Sequence, residues 1–244
     1  MQPTYIPWLG YFNMIDHADI FVFLDDVQLI KRSWQVRNRI KTGNGELFLT
    51  IPVRKGEKNR AETMISKALI HEKCNWKDKH LKSIFLSYRR SSHFDEVFPF
   101  MRDLISTECS SLSDFTINII KAISAKIGIT TDFKRSSVLN TTEEKRDLRL
   151  VEICERLGCG IYISPQGSKC YINKHSHGGA FANSDIALYY HNYLPVKYTQ
   201  LHGTFISHMS VIDLLFNEGF KNALPIIRLG RQRPIHYADL DVAV

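Results

Sequence analysis

The stretch FLDDVQLIKRSWQVRNRI, residues 23–40, decides how this chain is read. It continues the apolar run Ile20-Phe21-Val22 and stops at two adjacent carboxylates, Asp25 and Asp26. A short apolar run with an abrupt polar end reads as a buried strand. Beyond the acids stand Gln28, Lys31, Arg32, Trp34, Arg37, Asn38, Arg39 and Lys41. Ligands in α/β proteins gather at the carboxyl ends of strands, so acids and cations here point to a site.

Working outward, SWQVRNRI and ELFLTIPV flank Lys41-Thr42-Gly43-Asn44-Gly45. Glycine and asparagine between two such runs predict a β-hairpin near residues 34–53. Alternation along its first arm puts Gln35, Arg37 and Arg39 on one face and Val36, Asn38 and Ile40 on the other. The middle of the chain is helical by period: LKSIFLSYRR, FDEVFPFMRDLIS and LSDFTINIIKAISAKIG repeat apolar residues every three or four positions. Ser111 with Asp114 marks the start of the third, and Gly128 its end. Pro99 starts, kinks or interrupts the second. Thr141 with Glu144 opens another helix, DLRLVEICERLG, before the strand GIYIS, the turn Pro165-Gln166-Gly167 and KCYI. Ile186–Tyr190 reads as a strand, and SVIDLLFNEG as a helix capped by Ser210 and closed by Gly219.

Alternating strands and helices predict an α/β fold: a mixed or mostly parallel sheet flanked by helices. The expected organisation is one α/β domain over 1–225, with a helical subdomain at about 75–128 and a tail from 226 to 244.

Composition narrows the setting. The chain has 244 residues, 44% hydrophobic and 23% charged, as in ordinary globular proteins. Its five cysteines, Cys74, Cys109, Cys154, Cys159 and Cys170, form no CxxC pair. That argues against a disulfide framework and for a reducing compartment, hence a cytoplasmic protein. No run approaches the roughly 20 apolar residues of a membrane span. The formal net charge of +7 suits nucleic acid, anionic lipid or a phosphate-bearing small molecule. The cations are scattered except in the opening stretch, and no nucleic-acid motif is present.

Several segments in order carry a family resemblance: QPTYIPWLGYF, VFLDDVQ, KRSWQVRNRI, LTIPV, RLVEICERLGCGIYISPQGSKCYI and FISHMSVIDLLFNEG. Together they resemble the WbqC-like protein family of bacteria, from Gln2 to Gly219. That resemblance implies a place in O-antigen or other surface-polysaccharide (lipopolysaccharide) biosynthesis. It further implies a transferase that adds an aminoacyl group, glycyl among them, or an acyl group to an amino sugar or sugar nucleotide. Family members carry a short hydrophobic strand before the QP element, whereas this sequence opens at Met1-Gln2; the placement of Gln2 and Tyr5 depends on that strand. A looser architectural likeness is to nucleotidylyltransferase-like folds such as pantothenate synthetase, which activate a carboxylate with ATP, although no HxGH signature occurs here.

In that light Asp25 and Asp26 are candidate catalytic residues holding Mg²⁺, which takes one or two carboxylates plus substrate phosphates. ATP and Mg²⁺ are the cofactors such a step would use. Lys31, Arg32, Arg37 and Arg39 would clamp phosphates, with arginine giving bidentate geometry. The alternative is that an acid caps a turn and pairs with Arg37 or Arg39 across the sheet. Tyr5 and Trp8 either stack on a sugar or base or belong to the core. Gln2, Gln28, Trp34 and Asn38 complete the candidate substrate contacts. Ser164 to Gly167 follows a strand and offers backbone N–H groups to an anion, with Lys169 beyond it. His202 is the candidate base, and the histidine spacings match no zinc pattern. Asp213, inside an apolar helix, is either paired or functional. The partner expected is a nucleotide-linked amino sugar. Two other readings stand beside the transferase: a non-catalytic binder of a nucleotide, nucleotide sugar or RNA, and an aminoacyl-tRNA-dependent transferase.

Overall fold

The structure, a computed structural model, describes residues 1–30, 32–54, 63–71, 75–142, 146–174 and 176–240. The chain has an α/β fold of small parallel and mixed sheets flanked by helices. The apolar run forms β1 (Ile20–Phe23), which pairs in parallel with β4 (Asp132–Arg135), Phe23 opposite Arg135. Its end leads directly into Asp25 and Asp26.

The hairpin follows as β2 (Arg37–Thr42) and β3 (Gly45–Thr50), antiparallel, with Arg39 opposite Phe48. Gly45 takes φ +97, and the Thr42 hydroxyl accepts from the Asn44 N–H at 3.1 Å. Alternation holds at Arg37 through Ile40, then breaks: Lys41 is buried as deeply as Ile40. Its Nζ donates to the carbonyls of Gly203 at 3.2 Å and Thr204 at 2.7 Å. Gln35 lies before the strand and is also buried.

Three helices build the middle: α2 (Trp76–Tyr88), α3 (Phe94–Ser106) and α4 (Leu112–Lys126). Ser111 caps α4 by accepting from the Asp114 N–H, and Gly128 follows it at φ +92. Pro99 lies inside α3 without ending it. Then come α5 (Arg146–Arg156), β5 (Ile161–Ser164), the single turn α6 (Lys169–Ile172) and β6 (Ala187–Tyr190). Strand β5 pairs in parallel with β6, and β6 antiparallel with β7 (Ile235–His236).

The last helix, α7, spans Val211–Leu229 rather than closing at Gly219. Gly219 marks a kink there, at φ 75 and ψ 172, and a Cβ would lie 2.6 Å from His93 Nδ1. Helical spacing resumes beyond it because Phe220, Ala223, Leu224 and Ile227 bury a second apolar stripe.

Two apolar clusters result. The larger joins α1 (Leu9–Asp16), α2, α3, α4, α7, β1 and the hairpin; the smaller joins α5, β5 and β6. Leu24 packs on the smaller one, so the carboxyl end of β1 touches both. Among the described residues no helix is long and apolar enough to cross a membrane.

Candidate functional site

The opening stretch divides into two halves with opposite fates. The acids turn inward. Asp25 has no exposure, and both its oxygens are engaged. Oδ1 accepts from the Ser137 N–H at 3.1 Å; Oδ2 accepts from Arg135 Nε at 2.8 Å and the Ser137 hydroxyl at 2.9 Å. Asp26 accepts from the Ser136 hydroxyl at 2.5 Å and pairs with Arg149. Arg135 reaches Asp114 as well. The acids are therefore paired, as one of the two sequence readings expects, but with Arg135 and Arg149 rather than Arg37 or Arg39.

A magnesium ion at Asp25 and Asp26 would have to displace two guanidinium groups and the hydroxyls of Ser113, Ser136 and Ser137. These carboxylates do not fit that role as arranged. Among the described residues no group of three or more His, Cys, Asp or Glu is placed to hold a metal.

The cationic half turns outward. Strand alternation and the hairpin register put Arg37, Arg39, Glu46 and Phe48 on one face. Trp34 stacks on Phe48 with ring centroids 6.1 Å apart and planes 30° from parallel. Both rings stay open to solvent, Trp34 at 50% and Phe48 at 42%. The Arg37 guanidinium lies 4.6 Å above the Phe48 ring, and that of Arg39 5.9 Å from Trp34. Arg39 is held in place by Glu46, whose two carboxylate oxygens accept from its Nη1 at 3.0 and 2.8 Å, and by the carbonyls of Ser207 and His208. Arg32, exposed, stands nearby in the chain at φ +58. Among the described residues no carboxylate pairs with Arg32 or Arg37. Lys31 lies outside the described residues.

Several other candidates support this surface from behind. The Gln35 amide donates to Gln2 Oε1 at 2.9 Å and to the Gln28 carbonyl at 3.4 Å, while its oxygen accepts from the Ile30 N–H. Asn38 donates to the carbonyls of Tyr5 and Ile6, at 3.1 and 2.9 Å, and the Ser210 hydroxyl also reaches Ile6. These bonds hold Ile6 at φ +42, a strained value for a β-branched residue. Tyr5 is core: it is fully buried, its hydroxyl bonded to His80 Nδ1. Trp8 packs against Tyr193 and His208.

The remaining candidates lie elsewhere. Ser164 bonds Ser168 at the end of β5, Gly167 lies in the turn between, and Lys169 rests 5.6 Å from the Tyr190 ring. His202 binds the Ser87 carbonyl at 2.8 Å, beside Gly43 at the hairpin tip. Asp213 is paired: it accepts from the hydroxyls of Tyr88 and Tyr198, both at 2.8 Å, and from Gln200 at 2.7 Å. Burial raises its pKa, against the pull of those three donors and of Lys41.

Sequence reasoning missed Phe48, Arg135 and Arg149. Phe48 was within reach, since counting back from the Gly43–Gly45 turn puts it opposite Arg39. The two arginines stand 110 and 123 residues from the acids they pair with, with no local signal to join them.

What this arrangement offers is a shelf of two stacked rings flanked by guanidinium groups, while the acids at the end of β1 are taken up by Arg135 and Arg149. The family model of the WbqC-like protein family matches residues 2–224. The chain is 31% identical over 221 residues to a protein of Mycobacterium tuberculosis (strain ATCC 25618 / H37Rv) described as uncharacterized protein Rv1507c, covering 90% of this chain and 92% of that one. No solved structure matches. With nearly its whole length matched, this chain belongs to the WbqC-like protein family.

Proposed function

We propose that the chain binds a nucleotide-linked amino sugar on the Trp34–Phe48 shelf, as the acceptor of an aminoacyl or acyl group in bacterial surface-polysaccharide synthesis. The observation that carries the binding half is the open ring pair with Arg37 above it and, among the described residues, no carboxylate competing for that cation. Rings stack on a base or sugar face, and a guanidinium meets a diphosphate in bidentate geometry. Support for the transfer half is the family resemblance; Asp25 and Asp26 are engaged in structural pairing, so the base that takes the amine proton lies outside that pair. The same shelf also suits plain binding of a phosphate-bearing ligand without turnover.

Calorimetric titration with a uridine diphosphate amino sugar tests the binding half. Trp34→Ala is expected to weaken binding roughly 5- to 150-fold, the value of ~1–3 kcal/mol of stacking per base. Raising salt should weaken it too, because exposed charges are screened within about 10 Å at 0.1 M. Equal affinity in wild type, Trp34→Ala and Arg37→Glu would overturn the assignment. A glycyl mass gain on the sugar, with glycine, ATP and Mg²⁺ supplied, distinguishes transfer from binding alone.

A further inference from the structure

Arg39 holds more than the hairpin face. Its main-chain carbonyl accepts from the Ser210 N–H at 3.0 Å. Its Nε donates to the His208 carbonyl at 3.3 Å and its Nη2 to the Ser207 carbonyl at 3.4 Å. One residue of β2 thus grips Ser207, His208 and Ser210 at once. Between those ties His208 takes φ +59, a left-handed value uncommon outside glycine. Residues held this way by their surroundings cluster at ligand clamps and active sites. Ile6, also left-handed, belongs to the same assembly: the Ser210 hydroxyl bonds its carbonyl, and Trp8 bridges to Ser210.

The His208 ring is fixed as well. Trp8 lies against it, with centroids 4.7 Å apart and planes 34° from parallel. Its Nδ1 bonds the Ser207 hydroxyl at 2.9 Å. Among the described residues Nε2 has no hydrogen-bond partner, and the side chain is exposed. With the Nδ1 proton donated to Ser207, the lone pair of the ring lies on Nε2. Burial of part of the ring holds its pKa below 6.5, and the Arg39 charge adds to that. Among the described residues, Tyr193 and Tyr198 are the other titratable groups lining the small cavity beside it; burial raises both pKa values, so both are neutral. Glu46 is taken by Arg39. Near neutrality the imidazole is therefore an uncharged base.

Its position matches one end of an extended ligand. The Arg39 guanidinium lies 5.9 Å from the Trp34 ring, and its Nε reaches the His208 carbonyl. Ring, guanidinium and imidazole thus follow one another in the order of base, diphosphate and sugar in a nucleotide sugar. The cavity between Trp8, Tyr193 and Phe205 measures about 10 Å³, room for one water at most. A sugar therefore meets the imidazole from the solvent side, where Arg39 stands. His202, the base expected from sequence, is placed less well. Its Nε2 is spent on the Ser87 carbonyl, and it sits beside Gly43, roughly 13 Å along the hairpin from Arg39 at ~3.3 Å per residue.

We propose that His208 forms the amino-sugar end of the Trp34–Phe48 site, its Nε2 accepting from the sugar amine and taking a proton from it during acyl transfer. This assignment rests on the shelf reading of Trp34 and Phe48. The donor it requires is a carboxyl group activated as a mixed anhydride with phosphate. The amine nitrogen attacks the acyl carbon, and a C–N bond forms. The C–O bond to the phosphate breaks, its electron pair leaving on the phosphate oxygen. The proton from nitrogen goes to His208 Nε2, which then returns it to water.

Long-range proton–nitrogen NMR of the imidazoles near neutral pH, with calorimetry alongside, tests the placement. The His208 signal is the one absent from His208→Gln. It is expected to move several-fold further with uridine diphosphate glucosamine than with uridine diphosphate, which has no sugar to reach it. An unmoved signal, or equal movement with both ligands, while calorimetry records binding, overturns the His208 assignment and leaves the shelf standing. No calorimetric binding of either ligand overturns the shelf, and this assignment with it. Turnover gives a second readout, with glycyl adenylate as donor. His208→Gln should bind the amino sugar within a few-fold of wild type yet lose on the order of 10²–10⁴-fold in glycyl transfer, the usual worth of a general base. Transfer at the wild-type rate in His208→Gln overturns the role as base.

Discussion

Replacing Asp213 by alanine is expected to cost about 3–5 kcal/mol of folding stability, because three donors in a buried cluster lose their acceptor at about 1–3 kcal/mol each. The carboxylate is fully buried on α7 and takes hydrogen bonds from Tyr88, Tyr198 and Gln200. The Lys41 ammonium, 1% exposed, lies near enough to act on it through charge and bonds the carbonyls of Gly203 and Thr204. Alanine leaves two hydroxyls and the Gln200 amide without this acceptor. Asparagine keeps one acceptor oxygen and the shape, so Asp213→Asn should lose less. Urea unfolding of the three proteins measures the difference. A loss below about 1 kcal/mol for alanine, the range of an exposed pair, would show that the cluster is solvated.

Acid should unfold this protein in a defined window. His80 and His191 are buried, and burial lowers each pKa from 6.5 to about 4. His80 accepts from or donates to the Tyr5 hydroxyl, and His191 bonds Asn13 Oδ1 at 2.8 Å. Below pH 6.5 the unfolded chain binds protons that the folded chain refuses, so stability falls as pH drops from 6.5 and stops falling near 4. Each shift corresponds to about 3 kcal/mol at full effect, and the two together approach the whole stability of an ordinary domain. Circular dichroism across that range checks it, with the His80→Gln/His191→Gln double variant as comparison. The variant should show a much flatter profile between pH 6.5 and 4. An unchanged acid limb would place the titrating groups elsewhere.

What was legible in the sequence is what depends on neighbours along the chain. The strand stopping at Asp25, the hairpin about Gly43–Gly45 and the Ser111 cap each follow from local period or turn chemistry. So did the outward face of Arg37 and Arg39. Less was legible where tertiary packing overrides a local rule. Gly219 reads as a helix end, yet α7 resumes because the following apolar residues find a core. Lys41 continues the polar alternation in sequence but turns inward, where carbonyls of a distant loop receive it. The partners of Asp25 and Asp26 were out of reach, since Arg135 arrives on β4 and Arg149 on α5. Gln35 reads as a strand residue on the ligand face; instead its amide ties Gln2, Gln28 and Ile30 together beneath that face.

Trp34 emission, followed while a uridine diphosphate amino sugar is titrated in, tests the ring shelf most directly. Saturable quenching is expected in the wild type. Trp34→Phe should keep binding by calorimetry, because a ring remains over Phe48, but lose the quenching, since Trp76 is buried in the core and Trp8 packs on Tyr193 and His208. Arg37→Glu should lose both. Quenching that persists unchanged in Trp34→Phe would place the ligand away from the shelf and contradict the account.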